Sequence, residues 1–299
     1  MKFYANLHTH STHSDGQLSP EQLAKVAKGE GYSALAITDH DVATAWPELQ
    51  AACQAEGMEC IFGVEFSAPS VLLKRKSGAY GHFHITGYHF DPEYPAMKEY
   101  LAGMSLRQTH QTKTLFDWGV AEGKLRGITW EEVLEYNAGK TWLCNEQLFR
   151  ALMDKGLAVR ADHPQFFREL FGSRRGQVPP AYDFKQADEI IALIRAAGGV
   201  AVLAHPHRQL HLVEPLMEMG IEGMEVWHPD LEPQEQEEAY RLALEKGLYI
   251  SGGTDHYGVC DNAYENYPNP KDCPYYMEPG SAGTTYEYYV ELRDRKRSR

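Results

Sequence analysis

Cysteine is scarce in this sequence, and the few cysteines present form no recognisable motif. Five occur among 299 residues, and no two have the C-x-x-C spacing of a metal or redox site. An odd number without paired spacing argues against a disulfide framework. No signal-peptide core precedes the first apolar run, so we expect a reducing, cytoplasmic environment.

Basic residues are fewer than acidic residues, and long apolar runs are also lacking. The chain has 29 Lys and Arg against 42 Asp and Glu, a net charge of −13, which argues against a large surface for non-specific nucleic-acid binding. No apolar run has membrane length. We therefore expect neither a stable nucleic-acid partner nor a membrane span, and the sequence leaves the oligomeric state open.

Histidine, by contrast, is concentrated at the ends of short apolar runs. His8 and His10 follow the first run, and they point to the same face of a strand because strand side chains alternate. The Ser-Asp-Gly sequence around Asp15 is typical of a turn that folds this carboxylate back over them. Two imidazoles and one carboxylate can then bind one cation.

Further apolar runs carry His, Asp or Glu at or near their ends. These residues are His40, Glu65, His84, His205, His228, Asp255 and His256. Several runs are separated by segments with helical spacing, such as 20–31 and 186–197, which is typical of repeated β-α units. In a parallel α/β barrel the carboxyl ends of the strands share one face, so the pattern predicts one shared site.

These residues, in this order, resemble the PHP family, the polymerase and histidinol phosphatase superfamily of metal-dependent phosphoesterases. The motifs that carry the resemblance are H-x-H-x-x-x-S-D-G from His8, T-D-H ending at His40, G-x-E ending at Glu65, His84 before an aliphatic residue, and A-H-P around His205. The resemblance covers 1–100 and 186–260 well and the middle poorly. It implies an α/β fold, a distorted (β/α)7 TIM-like barrel, with up to three divalent ions.

Residues 101–185 follow a different pattern and predict an inserted small helical subdomain. Three segments with helical spacing, 104–118, 130–136 and 146–155, are followed by a stretch rich in Gly and Pro at 172–180. We therefore expect a discontinuous catalytic barrel at 1–100 and 186–299, with the helical insertion capping the substrate.

The resemblance also implies which residues bind the ions. Three ligand sets are expected: His8, His10, Glu65 and Asp255; then His84 and His205, with Glu65 as a bridge; and then Asp15, His40 and His256. Mixed imidazole and carboxylate ligands suit Mn, Fe or Zn better than Mg or Ca, so we expect two or three such divalent ions. The ligands expected to be essential for catalysis are Asp15, His40, Glu65, His205 and Asp255.

The last motif departs from the family pattern. Family members usually end in D-x-H, whereas Asp255 and His256 are adjacent here and Tyr257 occupies the position of the usual His. Neighbouring side chains diverge on a strand, so both can face the ions only if this glycine-flanked segment bends. We expect His256 to be the ligand, with Tyr257 contacting substrate or packing at the rim.

Substrate recognition is less clearly encoded. Relatives that cleave nucleotides often carry R-P-H before the main helix of the insertion, where this chain has Asn145 and Gln147. Arg binds phosphate in a bidentate way that Asn and Gln cannot match. The predicted phosphate-binding residue is Arg208, and His207 and His228 are candidates for substrate contact and for protonating the leaving alcohol.

Four polar residues of the insertion are weaker candidates for substrate binding, because each is also typical of a solvated helix face. They are Arg107, His110, Lys113 and Arg150.

These features predict a hydrolase of small-molecule phosphate esters, in particular sugar phosphates and cyclic phosphodiesters, that uses metal-activated hydroxide. The nearest enzyme alternative is a 3',5'-nucleotide bisphosphatase or short-oligonucleotide exonuclease. An alternative of another class is a regulatory module that binds metal without turnover. Similar barrels hydrolyse C–N bonds, but they commonly add a carboxylated lysine, and no lysine ends a strand here.

Overall fold

The structure is a computed structural model that describes residues 2–74, 80–256 and 277–295. The strands in these ranges are β1 (Ala5–Asn6), β2 (Ala34–Leu35), β3 (Glu59–Cys60), β4 (Gly63–Lys74), β5 (Tyr80–Tyr88), β6 (Val200–Leu203), β7 (Gly223–Trp227) and β8 (Tyr249–Gly252). The α-helices are α1 (Pro20–Gly29), α2 (Trp46–Glu56), α3 (Pro95–Ala121), α4 (Trp130–Tyr136), α5 (Asn145–Asp154), α6 (His163–Phe166), α7 (Ala187–Ala196), α8 (Val213–Met219), α9 (Pro233–Lys246) and α10 (Tyr286–Asp294). Short 3-10 or π-helical turns lie at Arg160–Asp162, Phe167–Phe171, Gly172–Gln177 and Leu210–Leu212.

The described strands form two sheets. In the smaller sheet β1, β2 and β3 are parallel, with Ala34 paired to both Ala5 and Glu59. The larger sheet has the order β4-β5-β6-β7-β8. In it β6, β7 and β8 are parallel, whereas β5 is antiparallel to both of its neighbours.

The predicted (β/α)7 barrel is therefore not confirmed, and the fold is a mixed α/β fold with two sheets. Bridges between Thr9 and Asp255 and between His40 and Glu65 connect their edges, but no continuous ladder of the described residues closes the sheets. The expectation of repeated parallel units was wrong at β4 and β5, because these two strands pair in antiparallel orientation.

Helix α3 crosses the position where we expected the insertion to begin, at residue 101. Near its start Met97 and Met104 pack in the main core, which lies between the sheets and the surrounding helices. Near its end Leu115 and Phe116 pack in a second core with side chains of α5, among them Leu148 and Phe149. One continuous helix thus connects the two cores, and helices α4 and α5 lie where helical spacing predicts them.

Several helix ends are determined by local sequence. Ser19 caps α1 by accepting a hydrogen bond from the Gln22 backbone, while the Gln22 side chain accepts one from the Ser19 backbone. Thr129 and Glu132 form the same reciprocal cap at α4. Within the described ranges no helix has the length and apolar composition needed to cross a membrane.

Candidate metal centre

The segments that follow β1 and β8 bring their polar side chains together. The His8 carbonyl oxygen accepts hydrogen bonds from the backbone N–H groups of Thr254 (3.1 Å) and Asp255 (2.8 Å). On the opposite side, His40 pairs with Glu65 of β4 across an isolated bridge. Residues distant in sequence thereby converge at the carboxyl ends of the parallel strands.

Glu65 lies between two groups of imidazoles and is fully buried. Its Oε1 atom is 3.0 Å from Nδ1 of His84 and 3.0 Å from Nε2 of His205. Its Oε2 atom is 3.3 Å from Nε2 of His8 and 3.2 Å from Nε2 of His10. The two carboxylate oxygens thus face different histidines, which is the arrangement that a bridging ligand requires.

The residues of the expected third set also lie together. Asp15 Oδ1 is 3.4 Å from His256 Nε2 and 3.7 Å from His10 Nδ1, and Asp15 Oδ2 is 3.7 Å from His40 Nε2. His40 Nδ1 in turn is 3.2 Å from Glu65 Oε2. The three ligand sets are therefore contiguous.

The backbone at Asp255 explains how two adjacent side chains face the same site. Asp255 has φ 51°, in the left-handed region, so the chain bends between Asp255 and His256. The Asp255 carboxylate is 3.1 Å from His10, and the His256 ring stacks on the His10 ring with centroids 4.2 Å apart. Gly253 permits close packing there, since a Cβ atom would lie 2.3 Å from the His8 backbone nitrogen.

Burial and charge act in opposite directions on the pKa values of the ligands. For His8, burial opposes protonation, but the carboxylates of Glu225, Glu65 and Asp255 outweigh it and raise the pKa well above the ordinary value. Burial likewise opposes protonation of His205, yet its hydrogen bond to Glu65 and the charge of Glu65 raise its pKa to about 9. For His40 burial dominates and lowers the pKa to about 4.

Glu225 is a residue of this site that the sequence analysis did not select. It is fully buried in β7, and its Oε1 atom lies 2.9 Å from Nδ1 of His8. Its Oε2 atom accepts a 2.7 Å hydrogen bond from the backbone N–H of His205. The available signal was an acidic residue in the middle of an otherwise apolar strand. Glu225 holds His8 so that Nε2 faces the other ligands.

His228 is placed beside the ligands and away from solvent. Its side chain is fully buried, and Nε2 lies 3.5 Å from Oδ2 of Asp255. Its Nδ1 atom accepts a hydrogen bond from the Asp230 backbone at 3.1 Å. It also falls in one group of possible ligand atoms with His8 and Glu225. His228 thus lies beside the candidate ligands, and the substrate contact expected from the sequence stays a prediction.

The loop that carries Asp15 is held from two directions. The Asp39 carboxylate accepts hydrogen bonds from the backbone N–H of Ser11 (2.7 Å) and from the hydroxyl groups of Ser11 and Ser14 (2.6 Å each). From α5, the Gln147 amide donates to the carbonyl oxygens of Thr12 (3.1 Å) and Ser14. Gln147 therefore braces this loop through its side-chain amide.

A cavity of about 300 Å³ adjoins the ligands. Asp15, His40 and His84 line one part of it, and residues of the 101–185 segment line another. The latter are Met104, Arg107, Gln108, Trp142, Arg175 and Phe184. The Trp142 ring stacks near His40, with ring centroids 6.2 Å apart. Asp41 also lines the cavity, and burial raises the pKa of its carboxyl group to about 8.

The residues predicted to bind substrate from the 205–208 segment lie elsewhere. Arg208 is exposed, its backbone N–H donates to Glu235 at 2.9 Å, and it is not among the residues lining the cavity. His207 Nδ1 is 2.7 Å from Glu235 Oε2. Tyr257 lies outside the described residues.

Of the four weaker candidates in the insertion, Arg107 alone lines the cavity. Lys113 pairs with Asp117, and Arg150 donates to the Gln17 carbonyl oxygen at 2.8 Å. His110 is exposed on α3. The packing of α3 against the main core thus decides which of its polar residues faces the site.

The donor set suits divalent metal ions. Four groups of three or four His, Asp and Glu residues each have ligand atoms within 4.8 Å of one another. Buried atoms in these groups, Asp15 Oδ1, His40 Nδ1 and Glu65 Oε2, make no hydrogen bond within the described chain. Buried polar atoms are normally satisfied, so these are candidates for metal coordination.

Comparison with known proteins agrees with this geometry. Residues 6–114 match the family model of the PHP domain. The phosphoribosyl 1,2-cyclic phosphate 1,2-diphosphodiesterase of Eggerthella lenta is 29% identical over 85% of this chain and 94% of its own length. The 5'-3' exoribonuclease Rnm of Salmonella typhimurium is 30% identical over 85% of each chain.

A similar fold is found in a crystal structure from Bifidobacterium adolescentis, of a protein described as a metal-dependent phosphoesterase. The TM-score is 0.71 at 22% sequence identity, and the match covers 98% of this chain and 96% of that one. The fold is therefore similar over nearly the whole length of both chains.

Proposed function

Because the chain belongs to the PHP family of metal-dependent phosphoesterases, we propose that it hydrolyses small phosphate esters, with sugar phosphates and cyclic sugar phosphodiesters as its substrates. The observation that carries the proposal is the continuity of the imidazole and carboxylate ligands with a cavity of about 300 Å³. This volume is at the lower end of the range for ligand pockets, about 300–1,000 Å³, and suits a compact substrate.

The ions would be bound by the sets that the structure brings together. His8, His10 and Asp255 form one set, and Asp15, His40 and His256 form another. Glu65 reaches both of these and also His84 and His205. When bound, two or three Mn, Fe or Zn ions supply Lewis-acid activation of the attacking water and of the phosphoryl group.

The chain's own residues orient the proposed ligands and shape the cavity. Glu225 orients His8 and the backbone of His205, and Asp39 fixes the loop that carries Asp15. Gln108 and Trp142 of the 101–185 segment line the cavity together with Asp15 and His40, which supports a capping role for the insertion. Such fixed geometry lowers the reorganisation that phosphoryl transfer requires.

The preference for compact sugar phosphates over nucleotides rests on the start of α5. Nδ2 of Asn145 lies 3.4 Å from Oε1 of Glu146. The Gln147 amide donates hydrogen bonds to the carbonyl oxygens of Thr12 and Ser14. Neither residue lines the cavity. The similarity to an exoribonuclease keeps nucleotide cleavage as the second candidate.

A competition assay separates these two candidates. The metal-loaded protein receives ribose 1,2-cyclic phosphate 5-phosphate and adenosine 3',5'-bisphosphate in one vessel, and both products are followed. We expect a kcat/KM at least tenfold higher for the cyclic sugar phosphate. A kcat/KM that is instead tenfold higher for the nucleotide, about 1.4 kcal/mol of transition-state stabilisation, would overturn the proposed substrate class.

A further inference from the structure

One face of the β4–β5 pair forms part of the cavity wall beside the metal centre. In the antiparallel register Ser67 lies opposite His84, and Pro69 lies opposite His82. Side chains directly opposite each other in an antiparallel pair share a face, and so do residues two apart on one strand. In agreement with this register, Ser67, His82 and His84 all line the cavity. His82 is therefore the neighbour of a candidate ligand on the same face of β5.

Three histidines line the cavity, and one of them stands outside the ligand groups. His40 and His84 share a ligand group with Glu65, whereas His82 belongs to no such group among the described residues. His82 is exposed, and its ring centroid lies 5.7 Å from that of His84. A substrate group that contacts His82 is therefore close to a phosphoryl group held at the ions.

The His82 ring also contacts a side chain of the 101–185 segment. The Phe184 ring meets it edge to face, with centroids 6.2 Å apart and ring planes at 89°. Phe184 itself is half-buried and packs against the main core. An edge-to-face contact with a fixed ring restricts the orientation of an aromatic partner. The His82 ring is thus positioned in the cavity wall before a substrate binds.

An imidazole ring suits a hydroxyl group, because a neutral ring carries one N–H donor and one acceptor nitrogen, and a hydroxyl group both donates and accepts. Of the hydroxyl groups of a sugar phosphate, the one on the carbon next to the esterified carbon is closest to the phosphoryl group. This is the hydroxyl group that the position of His82 beside His84 favours.

We propose that His82 hydrogen-bonds this neighbouring hydroxyl group, and that it thereby selects sugar phosphates over esters that lack the group. The inference rests on the proposed phosphoesterase function and deepens it by naming a residue that determines specificity. Because the ring has an N–H donor in both of its protonation states, the selection does not depend on the titration of His82.

The test compares ribose 1-phosphate with 2-deoxyribose 1-phosphate, which differ only in that hydroxyl group. For the metal-loaded wild-type protein we expect kcat/KM to be about 10-fold higher for ribose 1-phosphate, as one hydrogen bond to a hydroxyl group permits. His82→Phe keeps an aromatic ring against Phe184 but no hydrogen-bonding atom, and it should lower this ratio to about twofold or less. Because both proteins receive the same two esters, the intrinsic reactivities of the esters cancel in the comparison.

Two further variants and the metal content control for other effects. His82→Gln keeps a donor and an acceptor, so it should retain part of the wild-type ratio. His211→Phe is the matched control at an exposed histidine outside the cavity lining, and it should keep the full ratio. Elemental analysis should give the wild-type metal content for every variant. Loss of a metal equivalent in His82→Phe, an unchanged ratio in that variant, or no preference in the wild type would overturn the contact.

Binding measurements separate this inference from the proposed function. If the wild type hydrolyses neither ester, the phosphoesterase proposal fails, and both esters then serve as ligands in calorimetric titrations of the metal-loaded protein. The contact is supported if ribose 1-phosphate binds the wild type about fivefold or more tightly than its deoxy analogue and His82→Phe removes this difference. Equal affinities for the two esters, or no binding of either, would overturn it.

Discussion

At the scale of single residues, the two carboxylate oxygens of Glu65 lie between the proposed ligand sets. We predict that Glu65→Ala removes more than one equivalent of metal per chain, because each oxygen faces a different group of imidazoles. Asp15→Ala should remove about one equivalent, since its close neighbours belong to one set. Elemental analysis of the purified variants measures both numbers. Losses of one equivalent in each variant would contradict the bridging position of Glu65.

Glu225 is the residue whose effect should be transmitted through another ligand. Glu225→Gln leaves one acceptor oxygen for two donors, the His8 ring and the His205 backbone, and removes the negative charge. We expect metal affinity to fall by about 10- to 100-fold, as is typical for groups that orient a ligand. Competition with a chelating dye measures this affinity.

Glu235→Gln provides the matched control for this variant. Glu235 also contacts a histidine ring and a backbone N–H, those of His207 and Arg208, but it lies outside the ligand groups. Its variant should bind metal within twofold of the wild type. A similar loss in both variants would show a general effect of removing a carboxylate.

At the scale of elements, α5 positions the metal loop. Gln147→Ala removes the amide that binds the Thr12 and Ser14 carbonyl oxygens and leaves these buried groups unsatisfied. We expect a loss of about 1–3 kcal/mol in the free energy of unfolding and a weaker affinity for the ion bound by Asp15. Chemical denaturation and metal titration measure the two effects. Asn145→Ala, on the same helix turn, should change neither, and equal behaviour of the two variants would refute the bracing role.

The elements also show what could be predicted from the sequence. That candidate ligands at the ends of apolar runs lie together was predictable, because strand alternation and turn chemistry are local properties. The antiparallel pairing of β4 and β5 was not, since an apolar strand has the same composition whichever way its neighbour runs. As β5 is antiparallel, His84 reaches the site from within its strand, opposite Ser67, and not from its end.

Two features of the site depended on tertiary packing. Glu225 is a single acidic residue in an apolar strand. Only its contact with His8 shows that its side chain faces the site. Arg107 could not be distinguished from His110 or Lys113 on α3 until the packing of that helix against the main core was known.

At the scale of the whole molecule, metal binding should be coupled to proton release. In the ion-free protein the raised pKa values of His8 and His205, about 9 for His205, keep these imidazoles protonated at pH 7. A metal ion binds only neutral imidazole, so affinity should rise as the pH increases from 6 to 9. Calorimetric titration at pH 7 in two buffers with different ionisation enthalpies should show more than one proton released per chain. Release of no protons, with pH-independent affinity, would contradict the electrostatic description of the site.

Metal-dependent hydrolysis of phosphate esters is the central activity that we propose for this protein. The most direct measurement is the release of inorganic phosphate, or of the ring-opened product, from a panel of sugar monophosphates and cyclic diesters by protein reconstituted with Mn, Fe or Zn. We predict turnover that a chelator abolishes, that added metal restores, and that Glu65→Ala lacks. A protein that binds two or three ions and hydrolyses none of these esters, or that hydrolyses only amides, would contradict the account.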